Sequence, residues 1–185
     1  MEAPLAALPR SQLRLADLTT RRATDFSLVP TADERRAIAD ALGITAIRKL
    51  RFAGQIAPIG TTDWALRADL GATVVQDCVV TLDPVTTRID ETVTRQYVAD
   101  LPALDGPDVE MPVDDTVEEL PTVIDIAQVM IEALALALPL YPRRPDADLG
   151  TAVSAPKGAT PLTDADAKPF AGLAALRANL EKKEE

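Results

Sequence analysis

The sequence predicts an α+β fold, in which an antiparallel β-meander or partly closed sheet carries an N-terminal helix and a second, buried helix. Hydrophobic and polar residues alternate over most of residues 44–98, which is the period of β-strands. Segments with helical start and stop signals precede and follow this region. Because 47% of the 185 residues are hydrophobic, the chain can build one core of ordinary size.

The first helix is predicted over about 32–42. Thr31 stands three residues before Glu34, the spacing at which the two side chains satisfy each other's free backbone N–H groups. Gly43 follows where a left-handed residue commonly ends a helix. Before this helix, residues 11–29 alternate loosely and predict one or two short strands around a polar turn at 19–24.

Four segments predict the strands of the meander, and three of them alternate between hydrophobic and polar residues. They are residues 47–59, 64–70, 72–82 and 85–97. The third is apolar on both faces and suits the centre of a sheet. Gly54, inside the first segment, is placed where a β-bulge would fit.

The second helix is predicted from Asp125, a good N-cap residue, to about Leu138, and Pro139 stops it. It is apolar nearly all round, so we expect it to be buried against the sheet. The preceding residues 99–122 are acidic and contain four prolines, which predicts an exposed loop or edge.

These elements predict three parts of the chain. Residues 1–141 form a single α+β domain, residues 142–168 a flexible linker rich in proline, aspartate and alanine, and residues 169–185 a tethered amphipathic helix with a charged tail. No apolar run approaches the length of a membrane span, and the N-terminus lacks the pattern of a secretion signal. We therefore expect a cytoplasmic protein with no membrane partner.

The composition argues against catalysis. The chain has no histidine and one cysteine, which excludes Ser-His-Asp and Cys-His nucleophile systems and the usual histidine-containing zinc sites. No glycine-rich phosphate loop occurs. The densest carboxylates, Asp114-Asp115 and Glu118-Glu119, lie in a proline-rich segment without the rigid support that a metal site needs. We expect a protein that is not an enzyme and holds no cofactor or metal.

Cys78 has two interpretations. Within the most apolar predicted strand it is expected to be a small, buried core residue. A reactive thiol would need a cationic neighbour, and the adjacent Asp77 argues against one.

Charge is distributed unevenly. The net charge is −10, yet residues 1–52 carry nine Lys and Arg against six Asp and Glu, whereas residues 101–150 carry two against eleven. This argues against a general nucleic-acid coat but allows one basic and one acidic face. Five basic residues close in sequence are the candidates for RNA phosphate contacts: Arg35, Arg36, Arg48, Lys49 and Arg51. Ordinary solvent-exposed charges would give the same pattern.

Three short sequence motifs follow one another along the chain. Residues 64–85 hold a strand, a cysteine and an L-x-P turn, residues 124–140 an aspartate followed by a helix ending in L-x-L-P, and residues 169–177 the ending PFAGLAALR. The motif positions are Trp64, Gln76, Cys78, Leu82, Pro84, Pro139, Pro169 and Phe170. Together the three motifs resemble the bacterial YceD family, the large ribosomal RNA subunit accumulation proteins.

The chain also departs from that family. Many members carry C-x-x-C where this chain has Cys78-Val79-Val80-Thr81, and many have further cysteines after the second helix, where residues 141–168 have none. No metal or redox role is therefore carried over.

The resemblance implies a role in large-subunit ribosomal RNA accumulation or processing, through binding of precursor RNA or an assembly intermediate, with a ribosomal protein as a further candidate partner. The alternative is a protein-interaction module that holds a basic partner through acidic residues 100–119 or the helix at 169–180.

Overall fold

A computed structural model describes residues 8–101 and 116–150 of the chain. The chain divides into two compact units, Met1–Pro145 and Asp146–Glu185. All the helices and strands below belong to the first unit. The predicted helix at 169–185 and most of the predicted linker at 142–168 lie outside the described residues.

The described residues confirm the predicted α+β class. In chain order the elements are β1 (Gln12–Arg14), β2 (Thr24–Leu28), α1 (Ala32–Leu42), β3 (Ala46–Ile59), β4 (Asp63–Asp77), β5 (Pro84–Val98), β6 (Val117–Glu119), β7 (Val123–Asp125) and α2 (Ile126–Ala137). A single helical turn, Leu15–Asp17, follows β1.

Five strands form one open sheet in the order β2-β3-β4-β5-β6. The neighbours from β2 to β5 are antiparallel, so of the two predicted arrangements the meander is the one present. The edge strand β6 runs parallel to β5, and β1 pairs with β7 in a separate antiparallel ribbon. Neither pairing was predicted, because three-residue strands are too short to show a period.

Both helices begin as predicted. The Thr31 hydroxyl accepts the Glu34 N–H, and the Glu34 carboxylate accepts the Thr31 N–H at 2.7 Å. Gly43 closes α1 in the left-handed conformation, with φ of 64°. The Asp125 carboxylate accepts the N–H groups of Ala127 and Gln128 at the start of α2.

The two strands predicted at 64–70 and 72–82 are one strand, β4, which ends at Asp77. Placing Cys78 and the residues after it in a strand was wrong. Residues 78–83 form a turn in which the Cys78 N–H donates to the Asp83 carbonyl at 2.8 Å. Leu82 adopts a φ of 62° in this turn, which a strand cannot contain.

The bulge predicted at Gly54 was also wrong. The pairing of β3 with β4 shifts between Ile47 and Lys49, which makes Arg48 the extra residue. At Gly54 the backbones approach so closely that a Cβ would lie under 3.0 Å from the Arg67 carbonyl oxygen. A glycine inside a strand is compatible with either feature, and here it permits the close approach.

The core lies on one face of the sheet, here called the covered face. Its buried side chains are Leu50, Phe52 and Ile56 of β3, Trp64, Leu66, Leu70 and Val74 of β4, and Ile89 and Tyr97 of β5. Helix α2 adds Ile126, Met130 and Leu134, and α1 adds Ile38. Among the described residues, no helix is long and apolar enough to cross a membrane.

Candidate nucleic-acid interface

The other face of the sheet, here called the open face, carries mostly polar side chains on its three long strands. These residues are Lys49, Arg51, Ala53 and Gln55 of β3, Arg67, Asp69, Gly71 and Thr73 of β4, and Arg88, Asp90, Thr92 and Thr94 of β5. They share a face because directly paired residues in antiparallel strands project to the same side. Ser27, opposite Ala53, continues the face onto β2.

A groove of about 980 Å³ runs over the open face and the edge next to α1. Five basic residues line it against three acidic ones: Arg35, Arg48, Lys49, Arg51 and Arg88 against Asp69, Asp90 and Glu91. Of the three, Glu91 pairs with Leu70, so its side chain lies on the covered face. The groove is therefore cationic on a protein whose net charge is −10.

Three of the cations have no side-chain partner among the residues that the structure describes. Arg48, Lys49 and Arg51 are exposed, and none forms an ion pair or side-chain hydrogen bond with another described residue. The bulge at Arg48 produces this arrangement, because it lets Ile47 and Leu50 both enter the core while Arg48 and Lys49 stay in solvent. Their charges are available to a ligand.

Arg35 reaches the groove from α1. Its Nη1 donates to the Pro30 carbonyl at 2.7 Å and its Nε to the Ile47 carbonyl at 3.2 Å. The side chain thus joins the start of α1 to β3 and is held in a fixed position at the edge of the groove.

Arg36, the fifth predicted residue, is not part of this group. Its guanidinium pairs with Asp33 one turn earlier on α1 at 2.8 Å, and both side chains are mostly exposed. The structure therefore brings together four of the five predicted residues.

Arg88 and Asp90 also line the groove and were not predicted. The Arg88 Nε donates to Asp90 Oδ2 at 2.7 Å, and this bond lowers the pKa of the Asp90 carboxyl and raises that of Arg88. The guanidinium lies over Gly71, where a Cβ would come within 2.9 Å of its Nη2. Alternation placed Arg88 and Asp90 on a polar face, but nothing in a single sequence gives the register that sets them beside β3.

The turn at Cys78 is a second cluster of interacting residues, outside the groove. Cys78 is fully buried, and its pKa is lowered to about 7 by a hydrogen bond from the Thr81 side chain and by the Arg144 backbone N–H, against the opposing effect of burial. Among the residues placed by the structure, no group of three or more Cys, Asp or Glu could hold a metal ion.

The segment after α2 packs on this turn. The Val79 N–H donates to the Pro142 carbonyl at 2.9 Å, and the Gln76 side chain to the Pro139 carbonyl at 3.1 Å. An ion pair at 3.1 Å joins Arg144 to Asp83. The motif positions from Gln76 to Pro139 therefore form one structural unit. Trp64 lies in the core, while Pro169 and Phe170 lie outside the described residues.

The acidic segment is described only in part. Asp114 and Asp115 lie outside the described residues. Glu118 of β6 forms an ion pair with Arg95 of β5, and Arg95 also binds Glu132 of α2 at 2.9 Å. Glu118 therefore contributes to the packing of the fold.

Comparison with known proteins gives one match. The model of the family "Large ribosomal RNA subunit accumulation protein YceD" matches residues 66–177, more than half of the chain. No curated protein and no solved structure is detectably similar to it. The match begins after α1 and β3, so it covers the Cys78 turn and Arg88 but none of the four predicted groove cations. The chain belongs to the YceD family, whose name describes accumulation of large-subunit ribosomal RNA.

Proposed function

We propose that this protein supports the accumulation or processing of large-subunit ribosomal RNA as a non-enzymatic cytoplasmic factor. In this proposal the groove on the open face binds precursor RNA, either free or displayed on an assembly intermediate. One observation carries the proposal: five cations line a groove of a chain that is otherwise strongly acidic.

The chemistry of the groove suits a polyanion. Arg48, Lys49 and Arg51 are exposed and unpaired within the part of the chain that the structure describes. Each Lys or Arg side chain that neutralises an RNA phosphate releases cations condensed on the RNA, and this release favours binding. The acidic remainder of the molecule repels RNA, which favours contact through this surface alone.

A binding role also fits the state of the carboxylates. Asp90 is engaged by Arg88, and the Asp69 carboxylate accepts the Thr92 hydroxyl at 3.1 Å. With no histidine in the chain, these engaged groups do not form an obvious acid-base pair. We therefore propose that the protein acts by holding RNA and not by cleaving or modifying it.

The test is a triple substitution, Arg48→Ala, Lys49→Ala and Arg51→Ala. Affinity for a large-subunit precursor RNA fragment should fall by about 10- to 100-fold at low salt, and the slope of log affinity against log salt should become shallower by about 2. Fluorescence anisotropy over a series of salt concentrations measures both quantities.

A matched control is the triple substitution Arg14→Ala, Arg21→Ala and Arg22→Ala. These residues are exposed, carry the same total charge and do not line the groove. The control should bind nearly as the native protein does. If both triple variants lose the same affinity, net charge and not the groove governs binding, and the proposal is wrong.

A further inference from the structure

The middle of the open face is a band with three side chains that can form hydrogen bonds, Ser27, Asp69 and Thr92, and with Ala53 between the first two. Ser27, Ala53, Asp69 and Thr92 lie side by side across four strands, from β2 to β5. Asp69 and Thr92 bind each other in this band, at 3.1 Å between the carboxylate and the hydroxyl oxygen. A hydroxyl both donates and accepts, whereas an ionised carboxylate only accepts. The band therefore suits a ligand that offers hydroxyl groups.

Cations lie on both sides of this band. On one side Arg51, opposite Gly71, is the next residue of β3 on the open face, and Lys49 and Arg88 lie beyond it. On the other side Arg67, opposite Gln55, is exposed and forms no ion pair among the described residues. Arg67 and Gly71 are four residues apart on β4, which corresponds to about 13 Å at the rise of a strand.

The open face presents no aromatic ring. Phe52, Trp64 and Tyr97 are buried in the core, and Phe26 packs on Phe52 with ring centroids 5.6 Å apart. Tyr141, the remaining aromatic residue of the described ranges, follows α2. Proteins that hold single strands combine a cationic groove with aromatic rings on which the bases stack. Phe26 belongs to the lining of the groove, but it pairs with Gly54, so its side chain lies on the covered face. The open face therefore has no platform for unpaired bases.

We infer that the open face binds double-stranded RNA, with the central band against the 2′-hydroxyls of the minor groove and the flanking cations against the two phosphate backbones. The minor groove of A-form RNA is wide and shallow and displays both its 2′-hydroxyls and its phosphates, and proteins recognise it largely by shape. The inference rests on the proposed function and specifies the form of RNA that the groove accepts.

Binding of the full-length chain to three probes tests the inference. They are a blunt-ended RNA duplex, the DNA duplex of the same sequence, and an oligouridylate with an equal number of phosphates. The RNA duplex should bind about tenfold more tightly than either other probe, because only it offers 2′-hydroxyls in a double helix.

A charge-neutral substitution locates the contact. Thr92→Val removes one of the two hydroxyls of the central band with little change of shape, and it should weaken binding of the RNA duplex about three- to tenfold while leaving the DNA duplex unchanged. Thr20→Val, at an exposed turn residue away from the groove, is the control and should change neither affinity.

The outcomes separate this inference from the proposed function. Oligouridylate that binds as tightly as the RNA duplex, or DNA that binds equally well, overturns the inference while leaving RNA binding in place. If Thr92→Val weakens binding of the RNA and DNA duplexes equally, the inference is also overturned. The Thr92 hydroxyl would then support the structure of the protein and would not contact the 2′-hydroxyls. Failure of all three probes to bind removes the proposed function as well.

Discussion

Gly54 and Gly71 lie on neighbouring central strands but differ in their surroundings. A Cβ at Gly54 would come under 3.0 Å from three atoms of β4, including the Arg67 carbonyl oxygen and the Ala68 Cα, and backbone cannot move aside without separating the strands. A Cβ at Gly71 would meet only the far end of the Arg88 side chain at 2.9 Å and an Asp90 oxygen at 3.5 Å. Those atoms can move by rotation about side-chain bonds.

We therefore expect Gly54→Ala to lower the free energy of unfolding by about 3 kcal/mol, the upper end of the usual cost of overpacking, and Gly71→Ala to lower it by less than about 1 kcal/mol. Urea denaturation followed by circular dichroism measures both values. Equal destabilisation by the two substitutions would mean that the close approach at Gly54 is not the reason for its glycine.

The Cys78 thiol couples stability to pH. Its pKa is about 7 in the folded protein, against an ordinary value of 9.0, chiefly because the Thr81 side chain donates a hydrogen bond to it. Since the lowered pKa belongs to the folded state, the stabilisation is fully present above pH 9 and is lost as the pH falls through 7. The stabilisation of the folded protein by the Cys78 thiolate therefore increases as the pH rises from 7 to 9.

We expect the stability difference between the native protein and Cys78→Ala to grow as the pH rises from 7 to 9. Thr81→Val should raise the thiol pKa and reduce this growth. Denaturation curves at several pH values give the first result, and the ultraviolet absorbance of the thiolate gives the second. A difference that does not change with pH would show that the turn does not favour the thiolate.

At the scale of elements, Arg95 connects three parts of the fold. It lies on the covered face of β5 and pairs with Glu118 of β6 and Glu132 of α2. Its side chain is only 18% exposed, whereas the two glutamates are about 40% exposed. The free energy of a charge this far from water depends on its ion-pair partners more than that of a surface charge does. Because the two glutamates are partly exposed, solvent screens the two ion pairs to some extent.

We expect Arg95→Ala to lower the free energy of unfolding by about 1 to 2 kcal/mol, because it removes both ion pairs and leaves two acidic groups facing each other. Arg36→Ala, which breaks an exposed pair within α1, should cost less than about 0.5 kcal/mol. Thermal or chemical denaturation compares them. A cost for Arg95→Ala no greater than that for Arg36→Ala would contradict the linking role of Arg95.

The elements also differ in how far the sequence predicts them. Helix α1 was predicted with its observed bounds because Thr31, Glu34 and Gly43 act within a few residues of one another. The sequence predicts two strands in place of β4 because Gly71 has no side chain to continue the alternation, although its backbone pairs with both neighbouring strands. The sequence predicts a bulge at Gly54, and only the distances between strands distinguish a bulge there from a close approach of two backbones.

At the scale of the whole molecule, the candidate site depends on strand register. Arg35, Arg48, Lys49 and Arg51 could be predicted as a group because they are close in the chain, and α1 and β3 bring them to one groove. The sequence could not predict that Asp69, Arg88 and Thr92 join this group. Their position beside the four basic residues follows from the pairing of β4 with β3 and β5. Pairing between distant segments is what a single sequence does not contain.

From the pairing of β1 with β7 we expect a particular order of folding. Ser11 and Asp125 are hydrogen-bonded across 114 residues, and Asp125 caps α2 through the same carboxylate oxygen. As the chain is synthesised, neighbouring strands β3, β4 and β5 can pair early, whereas β1 waits for residues made much later. Closing so long a loop costs more entropy and slows folding. We therefore expect β1, although it is made early, to be among the last strands to pair.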